Sequence, residues 1–133
     1  MVIDTSALIA ILQDEPERHR FNAAIEADGR CLLSAASFVE LSMIVESRFG
    51  PDGIRALDLF LSKAGIEVIP VDADQAHIAR DAFRRFGKGR HPAGLNFGDC
   101  FSYALARAMG EALLFKGDDF PKTDVESVDA RES

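Results

Sequence analysis

Val2-Ile3-Asp4-Thr5-Ser6-Ala7-Leu8-Ile9-Ala10-Ile11-Leu12 is the stretch of sequence on which the fold most depends. Val2 and Ile3 predict a short buried strand that ends at Asp4. A helix is predicted directly after it, because apolar residues recur at helical spacing from Ala7 to Leu12. A strand that runs straight into a helix is the building unit of α/β folds, so we expect Asp4 at the carboxyl end of a strand.

The same alternation continues along the chain. Further strands are predicted at residues 31–33, 66–71 and 112–115, with a short fifth strand at 124–128. Helical patterns fill the intervals. The helix after the second strand is predicted to start at about Ser34 or Ser37, and Gly50-Pro51 divides the helical segment before the third strand. Strands separated by helices require crossover connections, so we expect a three-layer α/β/α fold with a mostly parallel four- to five-stranded sheet. Residues 1–133 are predicted to form a single domain whose last five or so residues fray.

Composition narrows the class of protein. The chain has 133 residues, of which 47% are hydrophobic, so a buried core is expected. No segment reaches the roughly 18 consecutive apolar residues of a membrane span. The two cysteines, Cys31 and Cys100, lie far apart and have no ligand-like neighbours, which predicts free, buried thiols in a reducing cytoplasm.

The distribution of charge is uneven. A net charge of −7 argues against a passive nucleic-acid binder, because phosphate contacts need Lys and Arg. Between Ile78 and Pro92, however, Asp81 is the only acid among six basic residues: Arg80, Arg84, Arg85, Lys88, Arg90 and His91. An acidic protein with one basic stretch can still hold a polyanion if carboxylates elsewhere bind cations.

Five acidic residues follow a strand or lie near the start of a helix: Asp4, Glu40, Asp99, Asp118 and Asp119. Each alone has a structural explanation. Asp4 can cap a helix, Glu40 can close a capping box with Ser37, and Asp99 can favour a helix dipole after an Asn96 cap. The adjacent pair follows Gly117, where aspartates are common in turns.

Taken together, the acids predict a metal site. The carboxyl ends of parallel strands meet at one edge of a sheet, so these side chains would gather there. Clustered carboxylates raise one another's pKa, and divalent cations relieve the repulsion. Oxygen ligands without His or Cys suit Mg²⁺ or Mn²⁺ rather than Zn²⁺. Such a site suits metal-assisted hydrolysis of phosphodiesters by water, since no Ser–His or Cys–His arrangement is evident.

Four strings of sequence resemble the PIN-domain ribonucleases, and within them the VapC toxins of bacterial type II toxin–antitoxin systems. They are Val-Ile-Asp-Thr-Ser-Ala at 2–7, Ser-Ala-Ala-Ser-Phe-Val-Glu at 34–40, Leu-Asn-Phe-Gly-Asp-Cys-Phe-Ser-Tyr-Ala-Leu-Ala at 95–106, and Leu-Leu-Phe-Lys-Gly-Asp-Asp-Phe at 113–120. Thr-Asp-Val at 123–125 follows the last string. The resemblance covers essentially the whole chain, and the third and fourth strings are specific to the family.

The resemblance implies a site, a cofactor and partners. Asp4 and Asp99 would be the principal Mg²⁺ ligands, and Glu40 and Asp119 would complete the catalytic acids, with Mn²⁺ as a substitute ion. Asp119 is preferred to Asp118 because the acid directly before Phe is the regular one in the family. Six further residues would contact water, phosphate or RNA: Thr5, Ser6, Arg85, Lys88, Arg90 and Lys116. The family also implies a homodimer and a VapB-type antitoxin whose C-terminal segment lies over the active site.

Other classes fit the residues less well. Haloacid-dehalogenase-like phosphatases need a second Asp two residues after the first, where this chain has Ser6. Receiver domains need paired acids beside the first strand and a central phospho-accepting Asp. A PIN-like module that binds RNA without cutting would not need all four candidate ligands. The sequence therefore predicts a Mg²⁺-dependent endoribonuclease that acts as the toxin of a type II toxin–antitoxin system.

Overall fold

In the part of the chain that the structure describes, a four-stranded parallel sheet forms the centre of the protein. The computed structural model describes residues 1–128, and the fraying predicted for the last residues falls outside them. The strands are β1 (Val2–Ile3), β2 (Cys31–Ser34), β3 (Ile66–Ile69) and β4 (Leu113–Leu114). They are ordered β3-β2-β1-β4, and every neighbouring pair is parallel. β1, which leads into Asp4, is therefore a central strand.

Among the described residues, five α-helices connect and cover the strands. They are α1 (Thr5–Leu12), α2 (Arg18–Ala27), α3 (Ala35–Ala64), α4 (Ala73–Phe86) and α5 (Phe97–Met109), followed by a 3₁₀ turn at Phe120–Lys122. The predicted break at Gly50-Pro51 is confirmed as an interruption within α3. Gly50 has φ 66° and ψ −157° there, a conformation that glycine adopts without a steric penalty.

The sheet separates two hydrophobic cores. Side chains of β-strands point alternately to opposite faces, so Ile3 packs with the helices on one face and Val2 with those on the other. Leu33 and Leu32 divide in the same way. The first core includes α1, α2 and α3, and the second includes α4 and α5. The predicted three-layer α/β/α fold is thereby confirmed.

The structure corrects one strand and decides between two predicted starts of a helix. The predicted fifth strand is reduced to an isolated parallel bridge between Ser127 and Leu113. Asp124 is drawn towards α5 and α4 by the Tyr103 hydroxyl at 2.5 Å and the Arg85 guanidinium at 3.2 Å, so little of this segment lies along β4. α3 begins at Ala35 with Ser34 as its N-cap, which is the earlier of the two predicted starts, Ser34 and Ser37.

Two predictions from composition can be compared directly with the structure. Cys31 and Cys100 are both buried and free, as expected. Within residues 1–128, no helix is both long enough and apolar enough to cross a bilayer.

Candidate active site

Asp4 lies at the carboxyl end of β1 and is almost fully buried, with 4% of its surface exposed. It is the N-cap of α1: its Oδ2 accepts hydrogen bonds from the Ser6 backbone N–H at 3.0 Å and the Ser6 hydroxyl at 2.6 Å. The Ser102 hydroxyl donates to Oδ1 at 2.6 Å. An ionised carboxylate has about four acceptor positions, so capping α1 leaves capacity for a cation.

Asp99 lies in the first turn of α5, where it also caps a helix. Its Oδ2 accepts from the Asn96 backbone N–H at 3.0 Å, and its own N–H donates to Asn96 Oδ1 at 2.9 Å. Within the part of the chain that the structure describes, Asp99 Oδ1 has no hydrogen-bond partner. The predicted Asn96 cap is confirmed, and one carboxylate oxygen remains available.

The electrostatic environment of Asp99 identifies its neighbours. Burial raises the pKa of this carboxyl, the charges of Asp4, Asp119 and Glu40 add to the shift, and together they bring the pKa to about 6. The hydrogen bond from the Asn96 backbone opposes the shift. Acids from the end of β1, from α3 and from the turn after β4 therefore act on Asp99 in α5, as the parallel sheet predicts.

Glu40 reaches this group of acids across the backbone of α5. A β-carbon added at Gly98 would lie 2.6 Å from Glu40 Oε1 and 2.7 Å from its Cδ, and closer still to Oε2. The carboxylate therefore occupies the space beside Gly98, one residue from Asp99. The alternative of a Ser37–Glu40 capping box is wrong, because the Ser37 hydroxyl instead lies 3.2 Å from Ser102 Oγ.

Gly98→Ala should displace the Glu40 carboxylate and weaken cation binding. The new methyl group meets the flexible end of a side chain, so Glu40 can swing away, and alanine favours the helix by up to about 1 kcal/mol. We expect unchanged or slightly higher thermal stability with Mn²⁺ affinity reduced roughly tenfold, measured by isothermal titration calorimetry. Gly29→Ala, at a glycine with nothing within 4 Å of its would-be β-carbon, is the matched control. Equal Mn²⁺ affinity in Gly98→Ala and wild type would contradict this placement of Glu40.

Asp118 and Asp119 lie on an exposed turn after β4. Gly117 has φ 112°, in the region that favours glycine, and Phe120 is buried against the second core, so the turn is fixed at both ends. The charge of Asp119 contributes to the raised pKa of Asp99, which supports the choice of Asp119 as the fourth acid.

The acids do not form a closed metal cage. Within residues 1–128, no three Asp, Glu, His or Cys side chains are close enough to share one ion. This spacing is compatible with the effect of the three acids on the pKa of Asp99, because charges interact over longer distances than the roughly 2.1 Å of a Mg²⁺–oxygen bond. The donors fit Mg²⁺ or Mn²⁺ by their chemistry, since all are carboxylate oxygens, while binding would require side chains to move together.

Ser6 and Lys116 are joined to Asp4 by hydrogen bonds. The Lys116 backbone N–H donates to Ser6 Oγ at 3.0 Å, and the Ser6 hydroxyl in turn donates to Asp4. The Lys116 ammonium is turned elsewhere, to Glu15 and, at 3.1 Å, Glu17, and these acids raise its pKa. RNA would have to compete with both acids for this ammonium. Contact between Lys116 and RNA therefore remains a prediction.

Thr5 is buried, and its hydroxyl donates to the Ser37 carbonyl at 3.5 Å. This hydroxyl is satisfied inside the protein, on the side of α1 that faces α3. The role of Thr5 in positioning water or phosphate remains a prediction.

The basic stretch is partly engaged within the protein. The Arg85 guanidinium lies 3.2 Å from Asp124 and 4.7 Å from the Phe86 ring centre, and Asp124 raises its pKa. Arg90 lies over the ring of Phe83 at 5.5 Å. Lys88 is exposed and makes no ion pair with any residue in 1–128. All three precede α5 closely in the chain, and their contact with RNA remains a prediction.

The roles of Ser102, Ser37 and Gly98 beside the acids were not predicted from the sequence. Ser102 lies one helical turn after Asp99, and its spacing alone would have placed it beside the acids. Ser37 carried a signal too, but it was interpreted as a helix cap. Gly98 could not be anticipated, because its importance lies in the space that it leaves for Glu40.

Fold and site together define a class of protein. It is a three-layer α/β/α domain in which carboxylates from distant parts of the chain gather beyond the carboxyl ends of parallel strands. This arrangement is common to enzymes that bind phosphate-containing substrates through divalent cations.

Comparison with known proteins identifies the family. The model of the PIN domain matches residues 1–126. Ribonuclease VapC30 of Mycobacterium tuberculosis is 57% identical over 128 residues, which cover 96% of this chain and 98% of the relative. The chain belongs to the PIN-domain family and, within it, to the VapC ribonucleases.

Solved structures agree on the fold. VapC20 of M. tuberculosis, described as a sarcin–ricin loop cleaving toxin, has a TM-score of 0.75 at 18% identity, covering 93% of this chain and 95% of that one. VapBC2 of Rickettsia felis, bound to a DNA fragment from its promoter, also gives 0.75, at 14% identity and with 95% and 94% covered. At these identities the likeness concerns the fold alone.

Proposed function

We propose that this protein is a Mg²⁺-dependent endoribonuclease, the toxin of a type II toxin–antitoxin system, in which Asp4, Asp99, Glu40 and Asp119 form the catalytic site. One observation carries the proposal. The Ser102 hydroxyl of α5 donates to Asp4 at 2.6 Å, and this contact brings the end of β1 against the helix turn that bears Asp99. The identity of 57% with a protein named as a ribonuclease supports the activity.

The charge of the site itself argues for a cation. Four carboxylates repel the phosphates of RNA, so a polyanion cannot approach them closely unless cations neutralise them. Asp4 and Asp99 would hold Mg²⁺, assisted by Glu40 and Asp119. When bound, Mg²⁺ supplies Lewis-acid chemistry, which polarises a phosphate oxygen and makes water more acidic.

Water is the expected nucleophile. The thiol nearest to Asp99 in sequence belongs to Cys100, and burial raises its pKa to about 11. The thiol is therefore protonated at neutral pH and cannot attack a phosphodiester. Asp4 is held in place by Ser6 and Ser102, while Asp99 Oδ1, which has no hydrogen-bond partner within residues 1–128, can turn towards the cation.

The direct test is cleavage of purified total RNA by the purified protein. We expect endonucleolytic cleavage in Mg²⁺, loss of cleavage in EDTA, and recovery on addition of excess Mn²⁺. An Asp99→Asn protein purified in parallel controls for contaminating nucleases. RNA retention without cleavage in either metal would instead indicate a binding module.

Cation binding should weaken in acid. Because the pKa of Asp99 is about 6 in the metal-free protein, a proton competes with the cation below that pH. We expect Mn²⁺ affinity to fall up to about tenfold per pH unit below pH 6, and to change little above pH 7, in calorimetric titrations. Asp118→Asn should follow the wild-type profile. A flat affinity between pH 5 and pH 7 would contradict the role of Asp99 as a ligand.

The protein partners are also proposals. A toxin–antitoxin complex from Klebsiella pneumoniae shares the fold, which supports a VapB-type antitoxin for this chain. Large apolar side chains are exposed on three helices: Val39, Met43, Phe83 and Phe97. Such surfaces commonly bind other proteins, here an antitoxin or a second copy in a homodimer. Light scattering tests the dimer, and growth arrest relieved by co-expression of the neighbouring reading frame tests the antitoxin.

A further inference from the structure

Two buried serines from different helices lie behind the Asp4 carboxylate. Ser102 of α5 and Ser37 of α3 are each only 1% exposed. Ser102 Oγ lies 2.6 Å from Asp4 Oδ1, and Ser37 Oγ lies 3.2 Å from Ser102 Oγ. Three elements that are remote in sequence therefore meet through a line of hydroxyl groups.

The direction of these hydrogen bonds follows from the carboxylate. An ionised carboxylate can only accept, so the Ser102 hydroxyl must donate its single proton to Asp4. The Ser102 oxygen is then left to accept from Ser37, which fixes the proton of Ser37 as well. Aligned hydroxyl groups strengthen one another, so the outer serine reinforces the inner bond.

Ser102 does not bond in the way expected of a serine inside a helix. Such hydroxyls often donate to the backbone carbonyl four residues earlier, as Ser42 does to the Phe38 carbonyl at 2.7 Å. Ser102 donates across the protein to Asp4 instead. The hydroxyl of Ser42 is therefore satisfied within its own helix, whereas that of Ser102 is bonded to an acid of the candidate site.

The other carboxylate oxygen is fixed from the opposite side. The Lys116 N–H donates to Ser6 Oγ, and Ser6 donates to Asp4 Oδ2. With one hydroxyl on each oxygen, the carboxylate is restrained in its rotation. Removal of Ser102 would release Oδ1 while leaving Oδ2 held.

We infer that Ser102, backed by Ser37, is a positioning residue that orients Asp4 Oδ1 for a divalent cation. The inference rests on the proposed function in one respect, which is that Asp4 is a cation ligand. Hydrogen-bond partners of ligands usually affect metal affinity by about 10–100-fold, so the effect should be measurable without RNA.

The test is Mn²⁺ titration of the metal-free full-length protein by calorimetry. We expect Ser102→Ala to weaken Mn²⁺ binding at least about tenfold and Ser37→Ala to weaken it less. The Ser37→Ala/Ser102→Ala double variant should match Ser102→Ala, because the outer hydroxyl acts only through the inner one. Ser42→Ala is the control and should bind Mn²⁺ as the wild type does. In RNA cleavage, Ser102→Ala should lower kcat with little change in KM.

Two failures can be told apart. If the wild type binds Mn²⁺ and Ser102→Ala binds it equally well, the positioning role is overturned while the proposed function stands. If the wild type binds no Mn²⁺, the proposed cation site fails and the positioning role fails with it. Should Ser102→Ala not fold, Ser102→Cys takes its place, because a cysteine keeps the shape of serine but donates weakly. Ser102→Cys should bind Mn²⁺ more weakly than the wild type does, and Ser37→Ala/Ser102→Cys should bind it no more weakly than Ser102→Cys alone.

Discussion

Asp99→Asn should abolish RNA cleavage and, at the same time, stabilise the metal-free protein. If Asp99 is a principal ligand, as proposed, its loss removes several kcal/mol of transition-state stabilisation, and about 4 kcal/mol corresponds to roughly a thousandfold in rate. The free energy of unfolding of the metal-free protein, by contrast, should increase. Burial and three neighbouring acids raise the pKa of Asp99 to about 6, so its charge disfavours the folded state.

The pH dependence of this stabilisation is defined by the two pKa values. A carboxyl whose pKa is higher in the folded protein disfavours folding fully above the folded value of about 6 and not at all below the ordinary 3.8. At pH 7, asparagine removes this charge and can still accept from the Asn96 N–H. We expect about 1–3 kcal/mol of added stability in urea unfolding with EDTA, shrinking towards zero near pH 4.

Asp118→Asn is the control for this prediction, because it removes an exposed acid from the turn beside Asp119. It should change neither cleavage nor unfolding at pH 7 appreciably. An Asp99→Asn protein that is less stable than wild type at pH 7, in the absence of metal, would contradict the raised pKa.

Asp4→Asn should abolish cleavage equally, but it should destabilise the protein. The Asp4 carboxylate accepts from the Ser6 N–H, the Ser6 hydroxyl and the Ser102 hydroxyl in a buried setting. Asparagine presents an NH₂ group to one of these donors, which leaves donor facing donor. We expect a loss of about 2–4 kcal/mol in the free energy of unfolding, measured by urea denaturation.

The opposite signs make the pair of variants informative. A general loss of structure would lower both activity and stability in each variant. If both acids serve the same site, cleavage falls in both while stability rises in Asp99→Asn and falls in Asp4→Asn. Shifts of the same sign in the two unfolding curves would be incompatible with the contacts of Asp4 or with the surroundings of Asp99.

Local pattern was sufficient to predict most of the fold. The alternation of short apolar strands and helices gave the parallel sheet, because β1, β2 and β4 are too apolar to be anything but buried. Gly50-Pro51 gave the interruption in α3. The fifth strand failed because tertiary contacts of Asp124 compete with strand pairing, and no local pattern reports those contacts.

For Asp4, Glu40 and Asp99 the sequence left two interpretations open, a helix-capping role and a metal-ligand role, and the structure explains why. Asp4 and Asp99 both cap helices, yet neither carboxylate is exhausted by capping. For Glu40 the cap was wrong, since Ser34 is an equally good cap and tertiary contact with Ser102 engages Ser37. Capping a helix and binding a metal exclude each other only where the cap uses every acceptor position of the carboxylate.

Surface cations were the least predictable part of the site. Lys116 pairs with Glu15, which is 101 residues away in sequence, and Arg85 pairs with Asp124, which is 39 residues away. Ion pairs between residues so far apart in sequence depend on how loops pack, so they cannot be predicted from local composition. The basic stretch was visible as charge, but the sequence could not show which of its members remain available to RNA.

Asp4, Asp99, Glu40 and Asp119 are proposed to hold a divalent cation together. Crystals grown with Mn²⁺ and measured at its absorption edge provide a test of this cation site, because anomalous scattering locates the ion independently of any assay. We expect a Mn²⁺ peak bounded by the carboxylates of Asp4 and Asp99, and no peak there in crystals of Asp99→Asn. Well-ordered wild-type crystals, saturated with Mn²⁺ at neutral pH, that show no peak at this edge of the sheet would contradict the proposed cation site.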